Sequence, residues 1–273
     1  MASVCFLGCG NLGTAILVGY LKATSSRGAV SACVTSPSSV QRILSILESE
    51  VPMEVSTVSV TCETQEIERC IASSQVIILG CKPQVLPAVG AQFRALFTEA
   101  HTVVSLLAGV KLAKLFETVG VENIVRAMPN TPAMVGAGMT ALCGQFGPFK
   151  KSILKIFESC GKVLEIDESK FDAVTAVSGS GPAYVYMFIE ALTEGGVRMG
   201  LPYATSLELA SQTVLGAATM VGGTQNPAVL KAQVMSPAGT TIAGVATLED
   251  HGLRAAVMNA VKAAADRSAE LGK

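Results

Sequence analysis

Val4-Cys5-Phe6-Leu7-Gly8-Cys9-Gly10-Asn11-Leu12-Gly13 is the stretch that decides the fold. Four apolar residues end at a glycine, as a buried parallel strand does. Gly8, Gly10 and Gly13 then fit G-x-G-x-x-G, and a helical segment follows from about Asn11 to Lys22. In such a strand–loop–helix unit the first glycine makes the tight turn. The second lets a pyrophosphate approach, and the third packs helix on strand. Alone the pattern is only a tight turn. Its place between a strand and a helix favours dinucleotide binding.

Outward from this unit, residues 32–34, 76–79 and 102–106 read as further strands. Helical segments lie near 39–48, 86–97 and 112–118. This alternation predicts an α/β fold with a parallel, doubly wound sheet of the Rossmann type. Residues 123–128 and 140–143 add strands. After about Val163 the chain becomes helical. Gly181-Pro182 opens a helix that stops at Gly200, and Pro202 starts another that breaks at Gly222-Gly223. Shorter helices are expected over 227–234 and 240–249, and a last one over 253–271. The fold class is thus α/β followed by all-α, with domains at 1–162 and 163–273.

Of the 273 residues, 50% are hydrophobic and 15% charged, enough to bury a substantial core. The mean hydropathy of +0.50 raises the question of a membrane. The long uncharged stretches 127–149 and 209–230 contain Asn or Gln, Thr, Pro and Gly. Neither is the run of about 20 apolar residues that a spanning helix needs. An interface buried in an oligomer accounts better for the apolar excess. A net charge of −1 gives no electrostatic footprint for nucleic acid. Eight cysteines without a C-x-x-C read as reduced, mostly buried thiols of a cytoplasmic protein. With two histidines, no metal site is expected. The first strand starts near Ser3, which leaves no room here for a signal or transit peptide.

Thr35-Ser36-Pro37-Ser38-Ser39, with Arg42 a turn later, holds no acid to repel a 2′-phosphate. Hydroxyls and a guanidinium favour NADPH over NADH. The plainer alternative is a solvated loop and a helix capped by Ser38 or Ser39. Gly80-Cys81-Lys82-Pro83 and Leu106-Leu107-Ala108-Gly109 close their strands at the carboxyl ends, where coenzymes lie. Lys82 could equally be a surface charge. Met128-Pro129-Asn130-Thr131-Pro132 is a stiff turn suited to a site wall. Ser180 sits near a helix N-cap, and Glu194 is spaced to pair with Arg198. His101 and His251 read as structural or exposed.

Ser236-Pro237-Ala238-Gly239 runs straight into a helix opening with Thr240 and Thr241. Such a turn gathers free backbone N–H groups where the helix dipole favours an anion. Two hydroxyls stand beside it, making a pocket for a small carboxylate with a polar neighbour. With the glycine loop, it points to a reductase of a small acid.

Val234-Met235-Ser236-Pro237-Ala238-Gly239-Thr240-Thr241-Ile242-Ala243-Gly244-Val245-Ala246-Thr247-Leu248-Glu249 resembles the signature segment of the pyrroline-5-carboxylate reductase family. Residues 7–12, 80–83, 126–132, 178–184 and 190–201 resemble other family blocks, so the likeness spans the chain in order. It implies NAD(P)H-dependent reduction of 1-pyrroline-5-carboxylate to L-proline, the last step of proline biosynthesis. It also implies a helical dimerisation and substrate-binding domain, hence a homodimer unit or a larger ring of dimers. By resemblance Leu7, Gly8, Cys9, Gly10, Asn11 and Leu12 hold the pyrophosphate, and Ser36 lies at the adenosine ribose. Cys81, Lys82 and Pro83, with Leu106, Leu107 and Ala108, lie by the nicotinamide half. Gln233 stands where the family commonly has Asn near the coenzyme. Ser236, Gly239, Thr240 and Thr241 hold the substrate carboxylate and ring nitrogen, with Thr241 as the catalytic hydroxyl. Glu168 falls at a substrate-contacting position. One departure is the segment 63–68, which lacks the Asn that many relatives place near the adenine ribose.

Two rivals are weighed against this reading. A β-hydroxyacid-type dehydrogenase would need a lysine on the first helix of its second domain, and residues 172–201 contain none. A non-catalytic NADP-binding module would not need the intact 236–241 turn.

Overall fold

The structure is a computed structural model that describes residues 2–24, 27–223 and 226–272. Its strands are β1 Val4–Leu7, β2 Val30–Cys33, β3 Val58–Thr61, β4 Val76–Leu79, β5 Thr102–Ser105, β6 Ile124–Met128, β7 Gly138–Gly144 and β8 Gly161–Glu165. The helices interleaved with them are α1 Asn11–Ala23, α2 Pro37–Glu50, α3 Thr64–Ser73, α4 Leu86–Phe93, α5 Leu112–Val119 and α6 Lys150–Glu158. Then come α7 Phe171–Val174, α8 Gly181–Arg198, α9 Tyr203–Gly222, α10 Pro227–Gln233, α11 Thr240–Asp250 and α12 Leu253–Leu271.

The strand order is β3-β2-β1-β4-β5-β6-β7-β8, parallel from β3 to β6. That is the doubly wound order of dinucleotide-binding sheets. β7 runs antiparallel to β6, and β8 parallel to β7. Alternate strand residues serve opposite faces of the sheet. Phe6, Ile78 and Val104 join Ile16, Leu17, Ile43 and Ile153 on one face, under α1, α2 and α6. Leu7, Ile77 and Leu79 join Ile71, Leu86, Phe93 and Leu115 on the other, under α3, α4 and α5. Burial on both faces is why the central strands read as unbroken apolar runs.

The chain forms two compact units. One runs to Gly179 and takes back the chain from Ala264, and the other is Ser180–Ala263. In the first, the returning end of α12 is fastened by Ser268 Oγ, which donates to Asp172 Oδ1 at 2.6 Å. In the second, α8 and α9 lie close together. Ser206 Oγ donates to the Thr193 carbonyl at 2.7 Å, and a Cβ at Gly196 would stand 2.1 Å from Ser206 Oγ. The buried residues described in this unit are Thr193, Ser206 and Ala210, all small. No helix among the described residues is long and apolar enough to cross a membrane.

The helices from α8 onward fall where the sequence places them, within a residue or two. Five elements do not appear in the sequence reading: β3, β8, α3, α6 and the single turn α7. β3 and β8 are the edge strands, partly exposed and mixed in polarity, so neither carries a long apolar run. Ser180 occupies the position before α8, but its side chain makes no capping bond. Nor, among the described residues, does Glu194 pair with Arg198.

Candidate functional site

The glycine loop joins β1 to α1. Gly8 has φ +89°, and a Cβ there would lie 2.7 Å from the Cys81 nitrogen. A Cβ on Gly80 would lie 2.1 Å from the Gly8 carbonyl oxygen. Only two glycines let the ends of β1 and β4 approach this closely. Gly10 is the opposite case: a Cβ there would meet nothing within 4 Å. It stands at the N-cap of α1 with no side-chain cap, and the first turn carries no acid. The amides of Asn11, Leu12 and Gly13 have no protein acceptor among the described residues, while Thr14 N closes the first turn on the Gly10 carbonyl at 2.8 Å. An uncapped helix start beside open space fits a pyrophosphate. At Gly13 a Cβ would sit 3.4 Å from the Gly8 oxygen, an ordinary contact. Within the protein, then, Gly8 is the demanding position, Gly13 is in ordinary contact and Gly10 meets nothing.

The start of α2 departs from the sequence expectation. The N-cap is Ser36, whose Oγ accepts from Ser39 N at 3.3 Å, and not Ser38 or Ser39. Pro37 takes the first helical position, where its missing N–H costs nothing, and so puts the cap at Ser36, two or three residues before the expected one. Ser36 Oγ also lies 3.0 Å from each of the Ser38 and Ser39 hydroxyls. Arg42 turns towards the glycine loop, and its Nη2 donates to the Cys9 carbonyl at 2.7 Å.

The loops after β4 and β5 lie beside β1. Gly80 N bonds the Leu7 carbonyl, and Leu106 N bonds the Leu79 carbonyl, each at 2.9 Å. Cys81 is half-buried, and burial raises its thiol pKa. Lys82 and Pro83 are exposed, Leu107 is buried and Ala108 exposed. The structure thus gathers Leu7–Leu12, Ser36, Cys81–Pro83 and Leu106–Ala108 at the carboxyl ends of four neighbouring strands.

Glu168 is tied into the fold. Its Oε1 accepts from Leu112 N at 2.8 Å and from Arg126 Nη1 at 2.7 Å. Arg126 is buried, and its guanidinium also lies over the Phe171 ring, 4.6 Å from the centroid. Asn130 donates to the Ser178 carbonyl at 3.2 Å and accepts from Met139 N at 2.9 Å. It thus holds a π-helical turn, Thr175–Gly179, against the loop after β6. His101 is buried with hydrogen bonds at both ring nitrogens, a structural arrangement, and His251 is exposed.

In the helical unit, Gln233 ends α10 and is exposed. The turn after it contains Ala238 with φ 55°, the only non-glycine residue with positive φ among those described. Gly239 N bonds the Ser236 carbonyl at 3.1 Å, and Gly239 is the N-cap of α11 without a side-chain cap. The amides of Thr240, Thr241 and Ile242 have no protein acceptor among the described residues. Ser236 folds its hydroxyl over this end, 2.2 Å from where a Cβ on Gly239 would be. Thr241 is half-buried and Thr240 exposed. A strained turn that leaves three amides open at a helix start has the geometry that suits an anion. Sequence reading missed Thr14, whose hydroxyl donates to the Gly10 carbonyl at 2.8 Å, because nothing in the glycine pattern marks that position.

Residues 168–271 match the family model described as pyrroline-5-carboxylate reductase dimerisation. Residues 3–109 match one described as NADP oxidoreductase, coenzyme F420-dependent. The chain is 44% identical over 258 residues to a pyrroline-5-carboxylate reductase of Glycine max, covering 93% of each. It is 47% identical over 210 residues to one of Arabidopsis thaliana, covering 76% of each. A crystal structure of Plasmodium falciparum pyrroline carboxylate reductase with NADP bound matches with TM-score 0.84 at 32% identity, over 100% of this chain and 98% of that one.

Proposed function

The chain belongs to the pyrroline-5-carboxylate reductase family, and from that membership we infer that it reduces the C=N bond of 1-pyrroline-5-carboxylate to give L-proline, the closing step of proline biosynthesis. The observation that carries this reading is the uncapped Ser236–Thr241 turn, with its open amides and the hydroxyls of Ser236, Thr240 and Thr241. NADPH, when bound, supplies the hydride from its nicotinamide ring, and NADH is the weaker donor. Leu7–Leu12 would hold its pyrophosphate and Ser36 its adenosine ribose. Cys81–Pro83, Leu106–Ala108 and Gln233 would lie along the rest.

The substrate is a cyclic imine bearing a carboxylate. The amides that open α11, with Ser236, Gly239 and Thr240, suit the carboxylate. Thr241 Oγ1 is the hydroxyl that this chain offers to the ring nitrogen. Protonation at that nitrogen makes the C=N carbon electrophilic, and the product is a secondary amine. Glu168 would meet substrate through Oε2, because Oε1 is held by Leu112 N and Arg126. The protein's contribution is orientation and exclusion of water.

A homodimer unit is part of the same proposal, and a ring of dimers its extension. It is supported by the family-model match and by apolar side chains left exposed on α8 and α9. The functional division proposed is a coenzyme domain over 1–162 and a helical domain over 163–273, although the compact units divide later, after Gly179, and keep β8 whole in the sheet unit. Eight free thiols suit the cytoplasm.

The test follows coenzyme absorbance with pyrroline-5-carboxylate, NADPH and NADH being run in parallel. Turnover with NADPH favoured is expected. A folded protein that binds NADPH but turns over with neither coenzyme would defeat the reading.

A further inference from the structure

Arg42 has no place in the glycine pattern, and the sequence offers it as a partner for a 2′-phosphate. Its geometry gives it a different task. The side chain leaves α2 and donates through Nη2 to the Cys9 carbonyl at 2.7 Å, across 33 positions of sequence. The Cys9 carbonyl and the Gly10 N–H belong to one planar trans peptide, so they point in opposite directions. Fixing the carbonyl therefore fixes the amide. Gly10 N–H makes no hydrogen bond to protein among the described residues, and the space around Gly10 is open.

This peptide needs a restraint. Gly10 lacks a Cβ, so the plane between Cys9 and Gly10 can turn at little steric cost. A turned plane would present the Cys9 carbonyl to a bound anion in place of the Gly10 N–H, exchanging attraction for repulsion. The Cys9 side chain is already held: it is buried, with Sγ 3.6 Å from Thr14 Oγ1. Thr14 Oγ1 donates to the next carbonyl, that of Gly10, at 2.8 Å and reaches the Cys9 carbonyl only at 3.4 Å, a long, uncharged contact. Arg42 supplies the one charge-assisted bond on the Cys9 carbonyl itself, the strong kind.

We propose that Arg42 is a positioning residue of the coenzyme loop: it locks the Cys9–Gly10 peptide so that the Gly10 N–H faces the pyrophosphate, and it reads no part of the coenzyme. The inference rests on the coenzyme reading above. It follows that Arg42 acts equally on NADPH and NADH, and that discrimination between them lies with the hydroxyls of Ser36, Ser38 and Ser39.

The test is equilibrium binding of NADPH and NADH to the full chain as wild type, Arg42→Met and Arg42→Lys. Adenosine 2′-monophosphate, which carries the 2′-phosphate and no pyrophosphate, is the third probe. Arg42→Met is expected to weaken both coenzymes by about 10-fold, the size of one charge-assisted bond, and to keep their ratio. Affinity for adenosine 2′-monophosphate should stay as in wild type, and the kinetic effect should fall on the coenzyme KM more than on kcat. Arg42→Lys keeps one donor and should recover part of the loss. It also serves if the methionine variant unfolds early. Selective loss of NADPH and of adenosine 2′-monophosphate would make Arg42 a phosphate reader and overturn the proposal, as would unchanged binding of both coenzymes. Wild type that binds neither coenzyme would instead bring down the coenzyme reading, and this inference with it.

Discussion

Gly8 and Gly10 share a motif and differ in what they tolerate. At Gly8 an alanine methyl meets the Cys81 nitrogen at 2.7 Å and must accept φ +89°, a backbone strain of about 1–2 kcal/mol before any clash is counted. Gly8→Ala should therefore lower the thermal midpoint and coenzyme affinity together. At Gly10 the methyl meets no protein atom and the φ of −74° is ordinary. Gly10→Ala should hold or raise the midpoint while weakening NADPH, because its methyl stands in the open space where the pyrophosphate must approach. A midpoint that falls for Gly10→Ala as far as for Gly8→Ala would break the distinction. Thr241 is separable in the same way. Its hydroxyl makes no hydrogen bond to protein among the described residues, so Thr241→Ala should leave stability nearly unchanged. If that hydroxyl contacts the ring nitrogen, kcat/KM falls about 10- to 100-fold, the worth of about 1–3 kcal/mol. Steady-state kinetics equal to wild type would remove Thr241 from the site. The roles of Gly8 and Gly10 are legible in the sequence because a short motif encodes a local backbone shape. The partner of Arg42 is not, because a carbonyl 33 residues away leaves no mark in a pattern. Ser36 is an intermediate case, where weighing Pro37 as the first helical residue would have moved the cap to the right serine.

Elements divide along the same physical line. β4 and β5 are legible because a strand buried on both faces must be apolar throughout, as Val76–Leu79 is. β8 begins at Gly161 with φ +144° and carries Lys162 and Glu165, the composition of an edge strand, which resembles a loop when read alone. The helices from α8 onward are legible from their punctuation, since Pro and Gly bracket them. Their packing is hidden in small residues. Gly196 admits Ser206, whose hydroxyl reaches the Thr193 carbonyl. A methyl at Gly196 would press on Ser206 Oγ from 2.1 Å, so Gly196→Ala should cost about 1–3 kcal/mol by overpacking. Ser206→Ala alone should cost about 1 kcal/mol for the lost hydrogen bond. The two costs should not add, because deleting the hydroxyl makes room for the methyl. A double-mutant cycle by denaturant unfolding measures this coupling, and strict additivity would mean that α8 and α9 relax apart instead.

At the scale of the molecule, the two compact units are built on different economies of burial. The sheet unit encloses large apolar side chains on both faces. The unit Ser180–Ala263 buries, among its described residues, only Thr193, Ser206 and Ala210, and leaves Met187, Leu215 and Met258 at least 60% exposed. The apolar excess behind this was visible in the composition, but which faces carry it was not. So many exposed large apolar side chains with so little buried core point to an interface, since water would otherwise be left against them. If the proposed homodimer covers these faces, folding of the helical unit is coupled to association. The thermal midpoint should then rise with protein concentration, as mass action requires of a dimer that unfolds to monomers. Leu215→Glu should shift the sedimenting species to monomer and lower the midpoint, because a carboxylate buried in an apolar interface stays charged only at a cost of several kcal/mol. The same substitution leaves the glycine loop untouched, so NADPH binding by the sheet unit should survive it. A midpoint independent of concentration, with Leu215→Glu sedimenting like wild type, would mean that these faces are covered by something other than a second copy.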